Sequence, residues 1–90
     1  MFQVGDRVMW ESQAAGSLTV KTGKVAAIVP KDTAPNYFGF LKANGLLSHA
    51  RMFDGWPRNH ESYLIEVPGG KTPKAKPKLY WPRVRQLRKA

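Results

Sequence analysis

Lys71, Lys74, Lys76, Lys78, Arg83, Arg85, Arg88 and Lys89 crowd residues 71–90, around Tyr80 and Trp81, and no Asp or Glu falls among them. Cations at this density neutralise phosphates and release their counterions, the main source of sequence-independent nucleic-acid affinity. Arg also forks onto a phosphate or lies flat on a ring. An exposed aromatic beside them can stack on an unpaired base, worth about 1–3 kcal/mol. The spacing therefore assigns phosphate contacts to Lys71, Lys74, Lys76, Lys78, Arg83, Arg85 and Arg88, with Tyr80 as the stacking ring. A second reading uses the same cations to dock on an acidic protein. Its apolar anchors would be Tyr37, Phe38, Phe40 and Trp56, of the kind that dominate interface energies. The partner is thus nucleic acid, DNA or RNA, or an acidic protein.

Other chemistries fit less well. Gly70-Lys71-Thr72 has the ending of a phosphate-binding P-loop, but Ile65 stands where that loop needs its first Gly, and a Pro-Lys run replaces the following helix. His49 and His60 are the two histidines, and there is no Cys. Neither lies at metal-ligand spacing from the other, so no metal and no cofactor is expected. Ser62, His49 and Asp54 could be drawn as a nucleophilic trio, but no Gly-x-Ser-x-Gly elbow exposes a serine. The six acids are scattered, with no pairing for acid–base work. Tyr37, Phe38, Trp56, Tyr63 and Tyr80 are rings enough for a methyl-cation cage, yet a chain of net charge +9 repels cationic ligands. The sequence reads as a binding protein and not an enzyme.

The charge is local. Residues 1–70 hold the other seven cations and all six acids, a nearly neutral body with one cationic end. Such a one-signed end steers polyanions. A pI near 10.3 agrees. Ninety residues make one domain, 1–90. Without Cys, stability must come from packing, which suits a reducing compartment. The amino terminus lacks the basic and apolar regions of a secretory signal, and no apolar run approaches ~18 residues. A cytoplasmic location away from membranes is expected. A dimer through an unpaired sheet edge is open, and nothing requires one.

Alternation supplies the elements that must carry these groups. Phe2, Val4, Val8 and Trp10 share parity across a Gly5-Asp6 bend and predict a first strand, with Trp10 in the core and Arg7 exposed. Gln13 to Ser17 reads as a turn. Leu18 to Val29 predicts a second strand with Val25, Ala27 and Val29 on one side, Ala26 and Ile28 on the other, and a bulge at Gly23. Residues 31–60 form an insert too long for a plain loop. Asn36 would cap a short helix through Tyr37, Phe38, Phe40, Leu41 and Ala43, ending at Asn44-Gly45. Leu46 to Phe53 would add a turn of helix or a strand. Ser62 to Val67 is a third strand and Lys78 to Trp81 a fourth, with Trp81 buried in step with Leu79 and Tyr80 exposed. Residues 69–78 form a basic, Pro-spaced loop expected to be mobile. Val84 and Leu87 would seat a short last strand.

VGDRVMW, TGKVAAIV and YLIEV…LYWPRVRQL together resemble a small SH3-like β-barrel of the KOW/Tudor type. In that fold a Gly-Asp turn follows the first short strand, the second strand bends around a Gly, and a short turn leads into the last strand. The resemblance leaves out residues 31–60. It implies an all-β barrel of about five strands carrying a structured, partly helical insert, and it implies a binding module without naming the ligand. The GDRV start and YWPRV end are also similar to uncharacterised small bacterial and bacteriophage proteins, for which an adaptor or inhibitor that blocks a host complex is one expectation. Plasmid-type dihydrofolate reductases share the fold and carry Gln-Ile-Tyr in their pore. Leu79-Tyr80-Trp81 lacks that amide, so the activity is not expected.

Overall fold

The computed structural model describes residues 2–14, 16–35, 38–53, 56–69 and 75–90. Strand β1 (Arg7–Ala14) and strand β2 (Ser17–Val29) form a hairpin, followed by helix α1 (Phe38–Ala43) and strand β3 (Ala50–Arg51). Strand β4 (Ser62–Val67), strand β5 (Lys78–Tyr80), a 3-10 turn at Val84–Gln86 and strand β6 (Arg88–Lys89) complete the chain. One sheet holds all six strands in the order β3-β5-β4-β2-β1-β6. Every pairing is antiparallel except β3 with β5.

The fold is mostly β, but the expected closed barrel is not formed, because the ladder ends at β3 and β6. Strand β5 pairs for three residues and stops before Pro82, which has no N–H to donate. The chain then spends Val84–Gln86 in the 3-10 turn, leaving two residues of β6 to meet β1 at Val8 and Met9. The last strand expected at Val84 and Leu87 is therefore displaced to Arg88–Lys89. The open sheet still curls. Strands β2 and β4 separate β1 from β5 in the ladder, yet the Trp10 and Tyr80 rings lie 5.7 Å apart.

The Gly5-Asp6 bend fastens the amino terminus to β2. Gly5 sits at φ 94°, a region costly for any residue with a Cβ. Its N–H donates to Val25 O at 2.8 Å, and the Val25 N–H donates back to Asp6 O at 2.9 Å. The Asp6 carboxylate accepts from the Gln3 N–H at 2.9 Å. This turn breaks the expected parity. Phe2 packs edge-on against Tyr63 at 5.5 Å and Val8 and Trp10 are buried, whereas Val4 is exposed.

Two apolar clusters lie on opposite faces of the sheet. Ala27, Val29, Leu41, Leu46, Leu64, Leu79 and Trp81 make one; Val8, Trp10, Val25, Tyr63, Ile65 and Leu87 make the other. A register shift between Val25 and Ala27 assigns these residues to different faces despite their shared parity. A bulge puts two successive residues on one side, here Ala26 and Ala27, both packed on the first cluster. The bulge thus falls at Ala26 and not at Gly23. Gly23 meets a different demand, since a Cβ there would lie 2.5 Å from Glu66 O. Strand β4 is buried at Ser62, Tyr63, Leu64 and Ile65 in succession, because each face has its own cover.

The insert covers the first cluster. Leu41 and Leu46 are buried in it, and Phe40 and Phe53 pack on it. Helix α1 ends at Asn44-Gly45 as the sequence predicts: Asn44 donates from Nδ2 to Phe40 O at 2.8 Å, and Leu46 N–H reaches Leu41 O at 2.8 Å. Strand β3 then docks on β5, with Ala50 opposite Lys78 and Arg51 opposite Leu79. His49 Nε2 pairs with Glu66 Oε2 at 2.6 Å and ties this segment to β4. The expected cap Asn36 and half of the 69–78 loop, residues 70–74, lie outside the described residues.

Candidate functional site: a guanidinium-lined groove

The site begins with Trp81. Its ring is buried, Nε1 donates to Ser62 Oγ at 2.7 Å, and Phe53 meets it edge-on at 5.9 Å. The Arg58 guanidinium lies over the same indole, 3.9 Å from the ring centroid. It donates through Nη2 to Trp81 O at 2.8 Å and through Nη1 to Pro82 O at 2.9 Å. These carbonyls follow β5, where no ladder takes them up, so the planar fork of Arg58 satisfies two acceptors at once. Asp32 N–H holds the Arg58 carbonyl at 2.7 Å.

Beyond this clamp the 3-10 turn sets the next two cations. Gln86 N–H donates to Arg83 O at 2.9 Å and Leu87 N–H to Val84 O at 3.0 Å. Leu87 is buried and Val84 packs on the same cluster, which leaves Arg83 and Arg85 exposed on either side of Val84. Arg58, His60, Arg83, Val84 and Arg85 line an open groove of about 650 Å³. No carboxylate is among the described residues that line it. Burial, and then the charge of Arg83, pull Arg58 below the ordinary guanidinium value. Three like charges so placed raise a positive potential that an anion would relieve.

Arg85 also borders a smaller groove of about 230 Å³ with Glu11, Gln86 and Arg88. There Glu11 Oε1 lies 3.4 Å from Arg88 Nη2, in an exposed pair. Glu11 therefore bounds the basic surface.

The structure sorts the expected contact residues. Arg83 and Arg85 share the main groove, and Arg88 joins Arg85 in its neighbour. Lys76 is exposed and Lys78 half-buried at the start of β5, and neither lines either groove. Lys71 and Lys74 lie outside the described residues. Tyr80 is not the open stacking ring that was expected. It is half-buried against Trp10, with Lys21 Nζ 4.7 Å from its ring centroid. The curl of the sheet, invisible to strand parity, brings these groups together.

The anchor residues divide as well. Trp56 is 88% exposed. Phe40 is half-buried on the first cluster and serves the core. Tyr37 and the Phe38 side chain lie outside the described residues. Arg58 and His60 were not among the contact or anchor residues that the sequence pointed to; they lie in the polar stretch Arg58-Asn59-His60-Glu61, and His60 entered only as a histidine without metal-ligand spacing. His60 Nδ1 lies 3.1 Å from Asn59 Oδ1.

Among the described residues no group of three His, Cys, Asp or Glu could hold a metal, and no helix is long and apolar enough to cross a membrane. No protein-family model, curated protein or solved structure matches the chain.

Proposed function

We propose that this chain is a non-enzymatic binding module that holds nucleic acid on the face formed by Arg58, Arg83 and Arg85. One observation carries the reading: three guanidiniums line one groove, with no carboxylate among the described residues that line it. The net charge of +9 supports it through long-range attraction. The SH3-like, KOW/Tudor-type kinship belongs to the same proposal. It is supported by the Gly5-Asp6 turn, the bent β2 and the short turn leading into a last strand that pairs with β1.

A salt titration with a labelled oligonucleotide tests the function. Affinity should fall with salt at a slope of about −0.7 to −0.9 per phosphate contact. Replacing Arg83 and Arg85 together with Ala should flatten that slope. A salt-insensitive or absent interaction would defeat the proposal.

A second reading, an adaptor or inhibitor docking on an acidic protein, draws on the exposed rim of the insert, where Leu47, Met52 and Trp56 face solvent. Purification from the native cell with and without nuclease separates the two. A nuclease-resistant acidic protein partner favours the adaptor.

A further inference from the structure

Resting on the nucleic-acid reading, we infer that the strand bound is unpaired. The groove of Arg58, His60, Arg83 and Arg85 seats one backbone phosphate, and the Trp56 ring stacks on a neighbouring base.

The phosphate seat is built before any ligand arrives. Arg58 is held flat by Trp81 and by two carbonyls, so little of its freedom remains to be lost. Arg83 and Arg85 project from a turn anchored by Val84 and Leu87. Among the described residues neither is paired with a carboxylate. Guanidiniums favour phosphate because their forked donors match two of its oxygens.

Trp56 supplies the second element. It is 88% exposed, while Trp10 and Trp81 are 4% and 7% exposed. Among the described residues it meets no other ring. A bare indole of this size is uncommon on a surface unless it has a partner. Two peptide units separate it from Arg58, so their Cα atoms are at most about 7 Å apart. The ring can therefore reach a base on the nucleotide whose phosphate Arg58 faces. In a duplex those base faces are occupied by their neighbours, and only an unpaired base offers one.

The elements that could read a duplex are poorly equipped. Helix α1 has six residues and packs Leu41 into the core, too short to fill a major groove. The β1–β2 ribbon is the other shape that fits one. Its tip, residues 11–20, carries Glu11 and no Lys or Arg, and its exposed cations Arg7 and Lys24 sit opposite each other at the base.

Two partners distinguish this inference from the function it rests on: an oligothymidylate of about twelve nucleotides and a duplex of equal length. Inorganic polyphosphate serves as a polyanion without bases. With Trp10 and Trp81 buried, quenching of tryptophan fluorescence reports on Trp56. The single strand should quench it and bind more tightly than the duplex. Trp56→Ala should weaken single-strand binding roughly 5- to 150-fold and leave polyphosphate binding unchanged. Trp56→Phe should recover part of the loss. Equal single-strand affinity in Trp56→Ala, or a preference for the duplex, would overturn the inference while the nucleic-acid reading stands. No binding to either oligonucleotide would remove both. Loss of an acidic peptide partner by Trp56→Ala, with oligonucleotide affinity unchanged, would assign Trp56 to protein docking and likewise overturn it.

Discussion

Lys76 and Lys78 carry the same formal charge as Arg83 and Arg85, on the same segment of chain, yet the two pairs stand in different surroundings. Lys76 is exposed before β5, and Lys78 opens that strand opposite Ala50 and Val67. Neither lines the groove of Arg58, Arg83 and Arg85 or its neighbour beside Arg88. Arg83 and Arg85 flank a residue packed on the core, and Arg58 joins them from the insert. A run of charge makes a field, whereas a site needs charges held at fixed mutual distance by groups that cannot move. The clamp of Arg58 on Trp81 supplies that fixity.

The largest way to break this difference is to remove its support. Trp81→Ala deletes the ring beneath Arg58, leaves Ser62 Oγ without its buried donor, and opens the first cluster. It should cost about 3–5 kcal/mol in urea unfolding and abolish the advantage of the arginines in binding.

Arg58→Ala is the more selective cut. It strips two charge-assisted hydrogen bonds and a ring contact, and should cost about 2–3 kcal/mol. Lys78→Ala should stay within about 0.5 kcal/mol. Equal losses from these two substitutions would erase the distinction between clamp and run.

Binding sharpens the comparison further. Arg83→Ala with Arg85→Ala should reduce the salt slope for an oligonucleotide by about two contacts' worth, and Lys76→Ala with Lys78→Ala by less. The smallest effect expected is at the border. Glu11→Gln removes the carboxylate beside Arg88. It should raise oligonucleotide affinity by about 2-fold and leave stability within about 0.5 kcal/mol. Weaker binding in this variant would mean that Glu11 orders the basic surface rather than limiting it.

Local signals carried much of this arrangement. Alternation marked β1, β2, β4 and β5. Asn44-Gly45 marked the helix end, and parity with Leu79 placed Trp81 inside. What parity lacks is geometry across strands. It groups Val25 with Ala27, but one bulge sends them to opposite faces. It leaves Tyr80 outside, but the curl lays Trp10 and Lys21 against it. It also gives no hint that Arg58 returns to the backbone beyond β5, because that contact spans 23 and 24 residues and depends on two carbonyls without ladder partners. Composition located the charge, and only tertiary packing decided which charges face one another.

The doubly covered strand β4 has a consequence for how this chain can change. Along β1, where exposed Arg7 and Glu11 and half-buried Met9 alternate with buried Val8 and Trp10, every second position can drift toward polar residues, because one side meets water. From Ser62 to Ile65 there is no such free side. A saturation-mutagenesis map should therefore show an unbroken block of intolerance there, beside striped tolerance along β1.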